Sequence, residues 1–239
     1  MVNWFRRQRG RVEAPKLRPR SSGEVPSTKV DLVTLTPELV FFLGRSAYIQ
    51  LASFEDLSRV VRSAPTTEAK SALSAVAGLA LTKHQGLVAE IERLGEDPAE
   101  AMQPFVAEID AFQRLTQGND WYESVTSCYL ITGFLDDFLA RLAVGLPGAV
   151  GARVVPVLRA DDGEQILAAE LLAAIEQNPR LAARLAMWGR RLLGDTMLVA
   201  RATLAPSDNR DSDEERIEPV FTELIAAHTR RMDALGLTA

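Results

Sequence analysis

The sequence is poor in the residues that carry most recognisable chemistry. Its 239 residues include one cysteine, two histidines, three tyrosines and three tryptophans. A single Cys128 excludes an intramolecular disulfide framework. No apolar run reaches the roughly 20 residues that span a bilayer, so no membrane partner is expected. No apolar segment follows the N-terminal arginines to act as a secretory signal, and a reducing cytoplasm is the expected location. There is no Gly-rich phosphate loop, no CxxC pair and no nucleophile elbow, which removes support for several enzyme classes. Lysine occurs only at 16, 29, 70 and 83, and all other basic residues are arginine, as in GC-rich bacterial coding sequences.

What is abundant is apolar surface at helical spacing. Hydrophobic residues make up 47% of the chain, enough for a substantial core. The formal net charge of -5 is unevenly spread: residues 1–20 hold seven basic residues against Glu13, so the remainder carries -11. Residues 1–30 therefore read as a flexible basic tail, too poor in apolar surface to order itself. Phosphate neutralisation on a nucleic acid is its functional reading; a solubilising tail or an early start codon is the plainer one. Residues 31–239 read as a single helical domain.

From Thr36 onward the 3.6-residue period dominates and strand signals nearly vanish. Thr36-Pro37-Glu38 predicts the start of a first long helix that reaches about Arg62. A second is expected from Thr66-Thr67-Glu68 to Leu94-Gly95. Asp97-Pro98-Ala99-Glu100 opens a shorter helical connector to about Thr116, and Asp120-Trp121-Tyr122-Glu123 caps a third long helix closed by Gly145-Leu146-Pro147-Gly148. The fourth is expected to run unbroken from Ala149 to Gln177. A fifth reaches about Leu204, and Ser212-Asp213-Glu214-Glu215 caps a last one, interrupted early by Pro219. Helices of about 25 residues are ~40 Å long. With a connector long enough to cross the bundle, they predict an all-α, ferritin-like four-helix bundle with one long crossover connection and additional C-terminal helices.

Such bundles hold two metals with one carboxylate from each of two helices and a Glu-x-x-His pair from each of the others. Here His84 is preceded at that spacing by Leu81 and His228 by Ile225, so neither histidine completes a pair. Polar groups nonetheless interrupt apolar faces: Glu55 on the first helix, His84 on the second, Asp136 and Asp137 on the third, Asp161 and Glu164 on the fourth. Burying such groups unpaired costs several kcal/mol. They read as a remnant or altered metal centre. The plainer alternative is a satisfied core histidine with edge carboxylates neutralised by Arg59, Arg62, Arg141 and Arg159.

The stretches SFEDLSRVVRSAPT, LGEDPAEAMQPFVAEIDAF, DWYESVTSCYLITGFLDDF, ADDGEQILAAELLAAIEQNPR and RLAMWGRRLLGD resemble ferritin-like proteins related to the tRNA isopentenyladenosine hydroxylases. The resemblance covers about Thr36 to Val199. It implies a di-iron oxygenase ancestry in which the first-helix Glu falls on Glu55 and Glu-x-x-His falls on Leu81 and His84. The third-helix carboxylate falls on Asp137, or on Asp136 by a one-residue shift, and acid-x-x-His falls on Asp161 and Glu164. Two of the six ligands are then lost. The resemblance implies a non-catalytic binding or scaffold protein with no cofactor, or alternatively a metal-dependent monooxygenase acting on modified tRNA, with iron or manganese at low occupancy. A homodimer is the assembly expected. Arg184, Arg190 and Arg191 on the fifth helix are the candidate tRNA contacts, or else an ordinary solvated face.

Overall fold

The computed structural model describes residues 35–205 and 210–237, with side chains from 216 onward in the second stretch; the basic tail expected at 1–30 lies outside them. Nine α-helices are found among the described residues: α1 (Leu39–Arg62), α2 (Thr67–Arg93), α3 (Pro98–Met102), α4 (Val106–Thr116), α5 (Trp121–Leu142), α6 (Val150–Leu158), α7 (Glu164–Gln177), α8 (Arg180–Arg201) and α9 (Arg210–Ala234). No strand occurs among them, and no helix is long and apolar enough to cross a membrane.

The caps show why the helices start where they do. Thr66 Oγ1 accepts from the Ala69 amide, and the Asp97 carboxylate accepts from Ala99 and Glu100. Asp120 accepts from Glu123. Each satisfies an amide that has no partner inside its helix. At α1 the expected cap is displaced by two residues: Glu38 accepts from Val40 and Phe41, while Thr36 Oγ1 donates instead to the Leu142 carbonyl at 3.3 Å. The last helix, too, differs from expectation: it covers Arg210–Ala234, so Ser212 lies inside it and Pro219 does not stop it.

The crossover consists of α3, a short 3-10 turn at Gln103–Phe105 and α4. A buried arginine holds it. Arg45, 1% exposed, donates to both Glu108 oxygens at 2.6 and 2.8 Å, to Thr203 Oγ1 at 2.9 Å and to the Val199 carbonyl at 3.1 Å. One guanidinium thus fastens α4 and the end of α8 to α1, and Glu108 is held below the usual carboxylate range by that hydrogen bond.

The fourth long helix is where structure and expectation part. It breaks at 159–163, leaving α6 and α7 as separate pieces. Gly163 adopts φ 71°, a left-handed conformation that glycine enters without the Cβ penalty. Asp161 Oδ1 accepts from the Gly163 amide and Asp162 Oδ1 from the Glu164 amide, so the two carboxylates satisfy backbone groups freed by the break. Local Asp-Asp-Gly turn chemistry overrides the apolar periodicity on either side.

Two apolar clusters fill the bundle. One gathers Phe42, Leu43, Leu87, Ile91, Phe134, Phe138 and Val154; the other gathers Leu57, Leu73, Val76, Val125, Leu171, Leu185 and Leu235. On α2, the boundary between them falls after Ala80 and before Leu87. That interval contains Lys83.

Candidate functional site

The buried polar centre of the bundle is built on Lys83, Asp136 and Gln50. Lys83 is 2% exposed, and it shares one face of α2 with Val76, Ala80 and Leu87 at spacings of three and four. Its Nζ donates to Asp136 Oδ2 at 2.5 Å and lies 3.4 Å from the Leu158 carbonyl. Gln50, fully buried on α1, donates through Nε2 to Asp136 Oδ1 at 2.6 Å. Both carboxylate oxygens therefore have a donor. Burial pushes the Asp136 carboxyl up, while Lys83 and Gln50 pull it down. Four elements, α1, α2, α5 and the end of α6, meet at this point.

A second polar group lies beside it at the surface. Arg231 of α9 donates through Nη2 to Asp137 Oδ2 at 2.9 Å and through Nε to Glu164 Oε2 at 3.1 Å. Gly133, one turn before Asp137, makes room for it: a Cβ there would stand 2.4 Å from Arg231 Nε. An open recess of about 530 Å³ connects the two groups, lined by Lys83, Asp136, Asp137, Arg141, Arg159, Asp161, Asp162, Glu164 and Arg231.

Of the residues expected to form a metal centre, Asp137, Asp161 and Glu164 line this recess, and Glu55 and His84 do not. Glu55 is exposed, on a different recess beside Tyr48, Asp110 and Arg114. His84 Nδ1 donates to the Ala47 carbonyl at 2.9 Å, which places its ring against the backbone of α1. Because the chain breaks at 159–163, Asp161 and Glu164 are not a pair at one-turn spacing on a continuous helix. Among the described residues, no three His, Cys, Asp or Glu side chains group as a metal site would require.

The donor chemistry gives the same answer. A di-iron centre needs carboxylates and imidazoles converging from four helices. Here α1 contributes an amide, α2 an ammonium and α5 a carboxylate already bonded on both oxygens, while the carboxylates nearer the surface share a guanidinium. An ammonium has no lone pair to give, and its charge repels a divalent cation. These residues do not fit the di-iron group that the fold implies.

The basic residues of α8 are largely engaged within the chain. Arg184 pairs with Asp120 at 2.5 Å and approaches Glu123 at 3.6 Å, and Arg191 sits 5.1 Å above the Trp188 ring. Cys128 is buried, and burial pushes its thiol far up, which disfavours the thiolate.

Sequence reasoning passed over Lys83, Gln50 and Arg231. A signal for Lys83 was present: one of only four lysines falls on the same α2 face as Leu73, Val76, Ala80, Leu87 and Ile91. Arg231 carried no comparable signal, since it sits beside Arg230 on a helix of mixed polarity.

Comparison with curated proteins returns no match. The family model for ferritin-like domains of actinomycetes, however, matches residues 36–211, from the start of α1 into α9, and the chain belongs to that ferritin-like family.

Proposed function

We propose that this ferritin-like bundle is a non-catalytic binding or scaffold protein in which a protein cation stands where metal-binding bundles hold their ions. The observation that carries the reading is Lys83, buried in the middle of α2 and bonded to Asp136. Its ammonium supplies positive charge without redox chemistry, and Gln50 supplies the second donor to the carboxylate. The Arg231 fork supports the same reading, because it occupies Asp137 and Glu164 together.

The competing reading, a metal-dependent monooxygenase acting on modified tRNA, needs Glu55, His84, Asp137, Asp161 and Glu164 to converge, and of these only Asp137, Asp161 and Glu164 line the open recess. One experiment separates the two. Protein purified without chelator and loaded with ferrous iron under anaerobic conditions is desalted and analysed for metal. The scaffold reading expects far less than one iron or manganese per chain. About two per chain, the complement of a di-iron bundle, overturns it.

A further inference from the structure

A cleft of about 410 Å³ opens between the C-terminal half of α1, the end of α4 and the N-terminal half of α5. None of its lining residues belongs to the Lys83 centre or the Arg231 fork, so a ligand bound here is independent of the scaffold reading. Protein interiors rarely leave voids much larger than a water molecule, and ligand pockets begin at about 300 Å³. Short side chains create this space: Ser53 on α1 faces Ser124, Cys128 and Thr132, spaced by four along α5. Trp121 and Ile131 supply apolar and aromatic wall. The Trp121 indole is fixed in place, its Nε1 donating to the Val60 carbonyl at 3.1 Å.

The hydroxyls of the cleft are turned as acceptors, while its cationic donors, Arg59 and Arg62, come from the last turn of α1. Ser53, Thr116 and Ser124 each spend their hydroxyl proton on a backbone carbonyl four residues earlier, at 3.0, 2.8 and 2.8 Å. What they can turn toward a ligand is lone pairs. Asp56 adds a carboxylate whose companion is Arg59, one turn away on the same helix and 47% exposed, an ion pair that is readily exchanged. The negative end of the α1 dipole points the same way. We propose that this cleft binds a small molecule with an aromatic or alicyclic body and a cationic amine head, the body against Trp121 and Ile131 and the ammonium on Asp56. Burial raises the Asp56 carboxyl although Arg59 and Gln113 both donate to it, so further positive charge beside it is favourable. A ring-bearing ammonium supplies that charge and can lie over the indole face of Trp121.

The probes are tryptamine, phenethylamine and cyclohexylamine, with indole-3-acetic acid and tryptophol as acidic and neutral isosteres of the first. Calorimetric titration of the full chain should show at least one amine binding below about 1 mM, with the acid and the alcohol about tenfold weaker or more. The Trp121 indole N–H resonance should shift with the same saturation curve. Asp56→Asn should weaken amine binding by about tenfold or more, and Ser124→Phe, which fills the cleft, should abolish it. Should Ser124→Phe fail to fold, Cys128→Leu serves as the filling variant. The proposal is overturned if no amine binds, if the acid binds as well as the amine through Arg59 and the exposed Arg62, or if amine binding survives Asp56→Asn or a folded filling variant.

Discussion

Two cations meet carboxylates near the middle of this bundle, and their surroundings give them different roles. Lys83 and Asp136 are 2% and 8% exposed in their side chains, whereas Arg231 is 12% exposed and its partners Asp137 and Glu164 about 40%. Distances are similar: 2.5 Å for the lysine pair, 2.9 and 3.1 Å for the arginine fork. Geometry alone would rank them together. Access of water to the carboxylates separates them: Asp136 is stripped of hydration and depends on its cation, while Asp137 and Glu164 are still wetted.

The sharpest way to break the comparison is to remove one member of the buried pair. Lys83→Met leaves Asp136 without its cation and should cost about 3–5 kcal/mol, read as a drop in the urea midpoint. Adding Asp136→Leu should return most of that loss, because a matched apolar pair carries no desolvation penalty. A double variant no more stable than the single one would mean that the pair acts through more than its charge.

A second measurement asks whether burial also governs an ionisable group that has no ion-pair partner. His228 is 4% exposed with Nε2 lacking a partner, and burial depresses its imidazole to about 4. Its folded value is below the ordinary 6.5, so the unfolded chain takes up the proton first. Its contribution is whole above pH 6.5 and is lost as the pH falls toward 4, by about 3 kcal/mol at most. The difference in stability between wild type and His228→Leu, followed across that window, should narrow on the acid side. A constant difference would show that His228 has a partner when charged.

The smallest effect is expected at the fork, whose carboxylates are exposed. Arg231→Gln should cost only about 1 kcal/mol, since solvent already screens Asp137 and Glu164, and about 1 M salt should shrink it further. The Lys83 variants should hardly respond to salt. Equal salt sensitivity at both places would erase the distinction drawn between them.

Much of this architecture was legible in the sequence because local chemistry and global packing agree there. Asp97, Asp120 and Thr66 cap the helices as their spacing implies, and the crossover follows from the length of the 97–116 connector. The site was harder to see. Period counting placed His84 in the apolar stripe of α2, but a shift of one residue rotates a helix by about 100°, and the buried group is Lys83. The same ambiguity separates Asp136, which is buried, from Asp137, which is not. The break at 159–163 was missed because Val154, Leu158, Leu167 and Leu171 keep an apolar rhythm across it, while Asp161-Asp162-Gly163 carries the turn signal. Arg231 reaches Asp137 across 94 residues and Glu164 across 67, separations at which one sequence gives no pairing information.

The buried guanidinium of Arg45 bears on the order of folding. Its partners Glu108, Val199 and Thr203 lie 63, 154 and 158 residues away along the chain. Closing loops of that length costs chain entropy before any contact is gained, so nearby pairings such as α1 with α2 form more readily. On that ordering Arg45 is expected to dock after the rate-limiting step, as a latch closed upon a chain already collapsed. Replacing it by methionine should leave the refolding rate almost unchanged and hasten unfolding, giving a φ-value near zero. That outcome would make the residue that fastens the crossover a determinant of how long the bundle stays folded, with little influence on how fast it forms.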